Sequence, residues 1–295
     1  LLPGGIPARV PGFLMLLPLI LHAPVPTPRA GEFRFTLLDV GQGMAAVVQT
    51  RRHVLVYDTG PAYSKDFNAG SEIVAPFLLS RGISRIDRLI LSNGDSDHQG
   101  GVTGLQAKIR IDEVLSGEPA RIIETNSAAC VAGMSWSWDG VIFTILHPDI
   151  DKRWRGNNAS CVVRIENAAG SVLLTGDIES AAEQRLVTCC RAALMARLVT
   201  MPHHGSATSS GVQFVQAVGA EFALAPTGFL NQYGFPKNEV VSRWQAQGAL
   251  VLNTALTGAV EFHFSPELGI TGPDKYRYRA SRYWTHLPVR NSGSH

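Results

Sequence analysis

The sequence predicts an α/β fold of mixed β-sheets covered by helices, and two features predict it. Hairpin-like β-rich segments come first, and strands alternating with helical segments follow. Apolar strand-like runs also end, again and again, in clusters of Asp, His, Asn and Gly. A sheet that stops at one edge gathers such loops into a common cleft. The chain has 295 residues, 45% hydrophobic and 17% charged, which suits a globular enzyme built as one large domain with appendages.

The first element is an apolar run from Phe13 to Leu21, nine residues long, whereas a bilayer span needs roughly 20. With Leu1 as its first residue, the chain reads as a piece of a longer protein. The run then reads as the end of a membrane segment, or as an apolar strap on the domain. Pro24 to Gly31 reads as a linker, because closely spaced prolines lack donors and resist helix and sheet alike. Strands are expected at Phe33 to Asp39, Ala45 to Thr50 and His53 to Asp58, with a turn at Arg51-Arg52. Ser71 to Ser80 reads as a helix and Arg88 to Ser92 as a short buried strand. Strands are next expected at Glu113 to Leu115, Val141 to Leu146, Ser160 to Glu166 and Ser171 to Thr175. Helices at Glu179 to Val187, Gly211 to Val218 and Glu239 to Gln247 then alternate with strands at Arg197 to Thr200, Phe222 to Ala225 and Leu250 to Asn253. Val260 to His263 is the last expected strand. This divides the chain into an N-terminal segment with linker (1–31), a folded domain (32–268) and a C-terminal tail (269–295).

A net charge of +2 does not mark a nucleic-acid binder by composition. Lys275 to Trp284, however, interleaves four cations with Tyr276, Tyr278, Tyr283 and Trp284. Such a stretch reads first as a solvated tail and second as a contact for phosphates and bases. The cysteines, Cys130, Cys161, Cys189 and Cys190, form no Cys-x-x-Cys motif and are expected as reduced, packed thiols.

The polar clusters carry the chemistry. Val54 to Tyr57 runs into Asp58-Thr59-Gly60, and Leu89 to Leu91 into Asn93-Gly-Asp95-Ser-Asp97-His98-Gln-Gly100-Gly101. Val172 to Leu174 runs into Thr175-Gly176-Asp177, and Leu198 to Met201 into Pro202-His203-His204-Gly205-Ser206. Asp58-Thr-Gly60 or Thr175-Gly-Asp177 alone is a common turn. The stretch from Asn93 to Gly101 is far more specific, and all four in this order argue against a purely structural origin. Asp95, Asp97 and Asp177 offer carboxylates, while His98 and one of His203 or His204 offer imidazoles. Carboxylates packed together without a cation would have raised pKa values. A pair of divalent ions removes that penalty and activates water for in-line displacement at phosphorus.

These stretches resemble the metallo-β-lactamase superfamily, whose signature is His-x-His/Asp-x-Asp-His. More narrowly, the chain resembles the C-terminal domain of the ComEC family, inner-membrane DNA-uptake channels of competent bacteria. The matching stretches are Leu38 to Gly43, Leu91 to Gly101, Gly156 to Ser160, Leu173 to Glu179, Pro202 to Ser206 with Thr208 to Ser210, and Gln232 to Gly234. The resemblance implies an αββα sandwich of two mixed sheets, with residues 32–268 as the metallo-β-lactamase-like domain. It implies Asn93 and Asp95 at a first metal site, Asp97 and His98 at a second, and Asp177 between them. His203 or His204 completes the second site, and Asp58 braces the metal loop by hydrogen bonds. Asp97 and Asp177 are the expected catalytic carboxylates. Asn157, Asn158 and Ser160 stand where the superfamily's third-motif histidine is missing, and line the first site or bind phosphate. His147 is a further candidate ligand, or a satisfied strand-end histidine. Ser206, Thr208 and Ser209 offer hydroxyls to a phosphate at a helix start, or cap that helix.

Three departures matter: Asn93 stands for the family's first ligand histidine, Met44 for an acidic residue after Val-Gly-Gln-Gly, and Phe235 for a histidine after Tyr-Gly. They predict one or two divalent ions, Mn2+, Zn2+ or Mg2+, with a weakened first site. The implied activity is metal-dependent hydrolysis of DNA, single-stranded, during uptake. The implied setting is a soluble domain attached to the membrane channel part of an inner-membrane protein. The competing expectation is a non-catalytic DNA-binding or channel-gating module, with a small-molecule hydrolase as a distant third.

Overall fold

The computed structural model describes Gly12, Met15 and residues 26–64, 67–150 and 152–282. Apart from Met15, the apolar run near the N-terminus lies outside the described residues, as do Tyr283 and Trp284. Among the described residues, no helix is long and apolar enough to cross a membrane.

The first half of the chain builds most of one sheet. β1 (Phe33–Leu37), β2 (Ala46–Gln49) and β3 (Val54–Tyr57) form an antiparallel meander. β4 (Arg85–Ile86) pairs separately with β6 (Arg110–Ile111), while β5 (Arg88–Leu91), β7 (Val114–Ser116) and β8 (Ala128–Ala129) extend the sheet in parallel from β3. The second sheet starts with the antiparallel run β9 (Ser135–Trp138), β10 (Val141–His147), β11 (Val162–Asn167) and β12 (Gly170–Leu174). It continues in parallel through β13 (Leu198–Thr200), β14 (Phe222–Ala225) and β15 (Leu250–Asn253). β16 (Val260–Ser265) then returns to pair with β1, and β17 (Gly269–Lys275) pairs with β16. The result is one mixed sheet of eight strands and one of seven.

Alternation along the strands decides the layers. Phe33, Phe35 and Leu37, with Phe143, Ile145, Val163, Ile165, Val172 and Leu174, face inward and fuse the two sheets into one buried core. The odd-facing set of the first sheet, Val47, Val54, Val56 and Leu89, is covered by α1 (Ala75–Ser80), with α2 (Ser96–Gln99) and α3 (Val102–Gln106) following the strand β5. On the second sheet Val162, Leu173 and Val199 pack beneath α4 (Ser180–Leu194), α5 (Val212–Val218) and α6 (Asn238–Ala246), with Trp244 fully buried among them. This is the expected αββα sandwich.

The structure corrects several details. β9 and β17 were not expected. β17 and the short helix α7 (Tyr276–Arg279) carry folded structure past residue 268, and the expected tail is engaged with the domain: β17 pairs with β16 and Arg277 binds Asp39 at 2.8 Å. The expected helix at 71–80 opens as a π-helical turn, Gly70–Val74, before α1. The cysteines are not thiols. Cys130 and Cys161 are brought to 6.0 Å between Cα atoms and are bonded, and Cys189 and Cys190 are bonded to each other. Residues separated by 31 positions meet here because the end of β8 lies beside the start of β11 at the core, which no cysteine motif announces.

The inward and outward faces of β10 predict opposite outcomes for neighbouring truncations. Phe143→Ala, in the sealed core, is expected to cost about 3–5 kcal/mol in denaturant unfolding. Ile142→Ala, 46% exposed, is expected to change stability by about 0.5 kcal/mol or less. Equal effects would contradict the inward and outward assignment of this strand.

Candidate metal centre

β3 and β5 are parallel in one sheet, β12, β13 and β14 in the other, so their C-terminal ends meet at one edge of the sandwich. Asp58 leaves β3 with φ +58 and turns its carboxylate back under the loop after β5. There it accepts Ser92 N at 2.6 Å, Ser92 Oγ at 2.8 Å and His98 Nδ1 at 2.8 Å. The backbone beside it holds the same histidine, Thr59 N and Oγ1 donating to the His98 carbonyl at 2.7 and 3.0 Å. Gly101 is required by close approach: a Cβ there would lie 2.3 Å from the Thr59 carbonyl oxygen.

Asp97, His98, Asp177 and His204 converge, with ligand atoms all within 4.8 Å of one another. His98 Nε2 lies 3.1 Å from Asp177 Oδ2. His204 Nε2 lies 3.2 Å from Asp97 Oδ2 and 3.4 Å from Asp177 Oδ1. His98, Asp177 and His204 are buried, and Asp97, 30% exposed, opens the cluster to solvent. Each imidazole is oriented through its far nitrogen, His98 Nδ1 by Asp58 and His204 Nδ1 by the Pro226 carbonyl at 2.9 Å. Their buried Nε2 atoms aim into the cluster, close to carboxylate oxygens but in no well-formed hydrogen bond. Two such nitrogens converging on two carboxylates fit a divalent cation.

The electrostatics agree. Burial alone would pull both imidazoles down, but the Asp177 carboxylate and its neighbours outweigh it. His98 is pushed well above the usual imidazole range and His204 up to about 9. Burial would raise Asp177, yet the flanking His204 and His98 hold it well below the ordinary carboxylate range. The carboxylates thus favour positive charge at this point, and a divalent ion held here would displace protons from the imidazoles.

His203 and His204 both take left-handed backbone conformations, φ +47 and +55, and this turn separates them. His204 enters the cluster. His203 stays at the rim, its Nδ1 3.2 Å from both Glu179 Oε1 and Thr208 Oγ1 and its Nε2 4.0 Å from Asp177 Oδ2.

The other sequence candidates are engaged elsewhere. Asn93 is sealed in the interior, where its Nδ2 donates to Ser160 Oγ at 3.1 Å and its Oδ1 accepts Asp95 N at 2.8 Å. Asp95 turns outward to Arg121, 2.7 Å away, and Arg121 also binds Glu118 at 2.7 Å. The pair expected at a first metal site therefore forms a structural turn and an ion pair, outside the cluster. Ser160 Oγ accepts Asp177 N at 3.0 Å as well as Asn93. Asn158 Oδ1 accepts Glu179 N and Ala182 N, closing the start of α4, while Asn157 reaches Glu179 Oε1 at 3.4 Å. Ser209 Oγ donates to Pro202 O and Ser206 O, and Ser206 Oγ lies 3.0 Å from Thr208 Oγ1. Just before α5 a carboxylate is already held: Glu183 accepts Ser210 N at 2.5 Å and Gly211 N at 2.8 Å. His147 Nε2 meets the Asn158 carbonyl at 2.7 Å, the satisfied strand-end histidine of the two readings. Met44 is buried in the core, and its backbone N donates to the Asp97 carbonyl at 3.1 Å.

Sequence reasoning missed Glu179, which binds Asn157, Asn158, Thr208 and His203. Its place at the end of the stretch Leu173 to Glu179 was the available signal. Arg121 and Glu118 were missed because nothing in their irregular segment marks them.

The family model described as the metallo-beta-lactamase superfamily matches residues 38–228. The chain is 34% identical over 289 residues to "Competence protein ComA" of Neisseria gonorrhoeae, covering 98% of this chain and 40% of that protein. It is 33% identical to "Recombination protein 2" of Haemophilus influenzae, covering 77% of this chain and 28% of that one. It thus spans less than half the length of these relatives. Among solved structures, the metallo-beta-lactamase fold protein YhfI from Bacillus subtilis is similar in fold, with TM-score 0.52 and 13% identity over 79% of this chain and 99% of that one.

If Asp58 sets the tautomer of His98, Asp58→Asn should lower affinity for a divalent ion about 10- to 100-fold, measured by competition with a chelator. Unchanged affinity would remove the brace from the account.

Proposed function

The chain belongs to the metallo-β-lactamase superfamily, related to a segment of the ComEC-type competence proteins, and we propose that it is a single-metal phosphodiesterase that cuts DNA during uptake. The observation that carries this reading is the convergence of the buried Nε2 atoms of His98 and His204 on the carboxylates of Asp97 and Asp177. In this proposal those four residues hold one Mn2+, Zn2+ or Mg2+ ion. Such an ion supplies Lewis acidity, which acidifies water and offsets charge at phosphorus. Asp95 and Asn93 do not join it, because one is paired with Arg121 and the other with Ser160.

The remaining chemistry falls to side chains around the cluster. Asp58 and the Pro226 carbonyl fix which nitrogen each ligand imidazole presents. His203 is the candidate general acid. Glu179 fixes its Nδ1, and its Nε2 faces the open side of Asp177, where a proton can be handed to a departing oxygen. The DNA context is supported by the competence and recombination names of the relatives. More than half of their length lies outside the match, which leaves room for a membrane channel part to which this domain is attached at the inner membrane.

A second reading has its own support. The engagement of Asn93 and Asp95 in structural bonds would also suit a non-catalytic module that binds DNA or gates the channel.

Incubation of labelled single- and double-stranded DNA with Mn2+, Mg2+ or Zn2+ separates the two. Metal-dependent cutting, preferring single strands and lost in Asp97→Ala, is expected. Binding without cutting in every metal would establish the module instead. Elemental analysis of the purified protein should find one ion per chain, and two tightly held ions would refute the single-metal form. His203→Ala should keep that ion yet lower kcat by about 100-fold or more, whereas His204→Ala should lose the ion itself. Loss of the ion from both variants would place His203 among the ligands.

A further inference from the structure

Phe235 fills its place beside the cluster with an aromatic ring. Its ring lies nearly parallel to that of the ligand His204, at 19° and 6.5 Å, and meets His203 edge-on at 5.8 Å. Tyr233 continues the stack at 20° and 5.4 Å and is 51% exposed. A series of near-parallel rings therefore runs from the buried metal cluster out to solvent.

The loop that carries these rings is held in shape. Asn231 brackets Phe235, its Nδ2 donating to the Phe235 carbonyl at 2.8 Å and its Oδ1 accepting Phe235 N at 2.9 Å. Lys237 Nζ donates to the Tyr233 carbonyl at 2.7 Å and sits 5.5 Å from the Phe235 ring, placing a cation at the same edge. Leu230, on the same loop, is 87% exposed. Large apolar groups held rigid in water beside a polar centre are the mark of a contact surface.

We propose that Tyr233, backed by Phe235, is a stacking platform for a nucleobase of single-stranded nucleic acid whose phosphate lies at the metal centre. This rests on the phosphodiesterase reading. Every base has a π-face, so such a platform is tolerant of sequence, and Lys237 stands ready for the backbone charge. A duplex keeps its base faces stacked inside, so the platform selects single strands.

The test is fluorescence anisotropy of the full chain after its metal has been removed with a chelator, so that nothing is cut. The probes are a labelled single strand of about 12 nucleotides and the same length of abasic deoxyribose phosphate. Tyr233→Ala is expected to weaken binding of the base-bearing strand about tenfold and of the abasic strand less than about twofold, while Tyr233→Trp retains the preference. Equal losses on both strands, or no loss on either, overturns the platform. So does capture by anionic lipid vesicles that falls in Tyr233→Ala while oligonucleotide binding is unchanged, since that assigns the surface to a membrane. An unchanged melting temperature for each variant excludes a folding effect. Cleavage assays keep the two claims apart. No cutting in any metal with the base preference intact rejects only the phosphodiesterase. Cutting that persists without any base preference rejects only the platform.

Discussion

The site depends on one buried carboxylate that binds no substrate. Asp58 lies at the end of β3, fully removed from solvent, and a charge in that position is costly unless it is thoroughly hydrogen-bonded. Ser92 supplies two donors and His98 a third. Because β3 and β5 are parallel neighbours, these bonds tie the exits of two adjacent strands together, and the direction of His98 is a consequence of that tie. The positive φ at Asp58 is the local strain accepted to bring the carboxylate under the loop.

The cluster then needs both sheets. Asp97 and His98 follow β5 in the first, while Asp177 and His204 follow β12 and β13 in the second. Ser160 joins the halves, since its hydroxyl accepts both the Asn93 amide from one sheet's loop and the Asp177 backbone N from the other's. An amide suits that position because it carries a donor and an acceptor on one rigid plane. The same group that loses a metal ligand therefore supplies a strut between the sheets.

The fold was largely legible because inward and outward residues alternate cleanly in β1, β10, β11 and β16. The strands that escaped are the two-residue pieces β4, β6 and β8 and two of unusual pattern: Ser-Trp-Ser-Trp in β9, and Gly and Pro inside β17. At the site, Asp97, His98 and Asp177 were legible from position after apolar strands. The choice between His203 and His204 was not, because it is made by two successive left-handed backbone conformations. The exclusion of Asp95 was equally hidden, since its partner Arg121 arrives 26 residues later from a segment without periodicity. The bond between Cys130 and Cys161 depends on tertiary proximity alone.

The Asp95–Arg121 pair bears on what the rest of the site would do in the proposed single-ion reading. The guanidinium of Arg121 supplies a fixed positive charge to Asp95, and so answers the electrostatic need of that carboxylate. It cannot acidify water or accept a ligand, so it replaces the charge of an ion without its chemistry. On the proposed single-ion reading, that one position would carry nucleophile activation, and a side chain would serve proton transfer to the leaving group. His203 is the group in place to do it, because Glu179 fixes its inner nitrogen while its outer nitrogen remains at the mouth of the cluster. On that proposal, the engagement of Asn93 and Asp95 elsewhere and the Glu179 contact to His203 would be two sides of one arrangement: fewer ions, and a greater share of the chemistry on the protein.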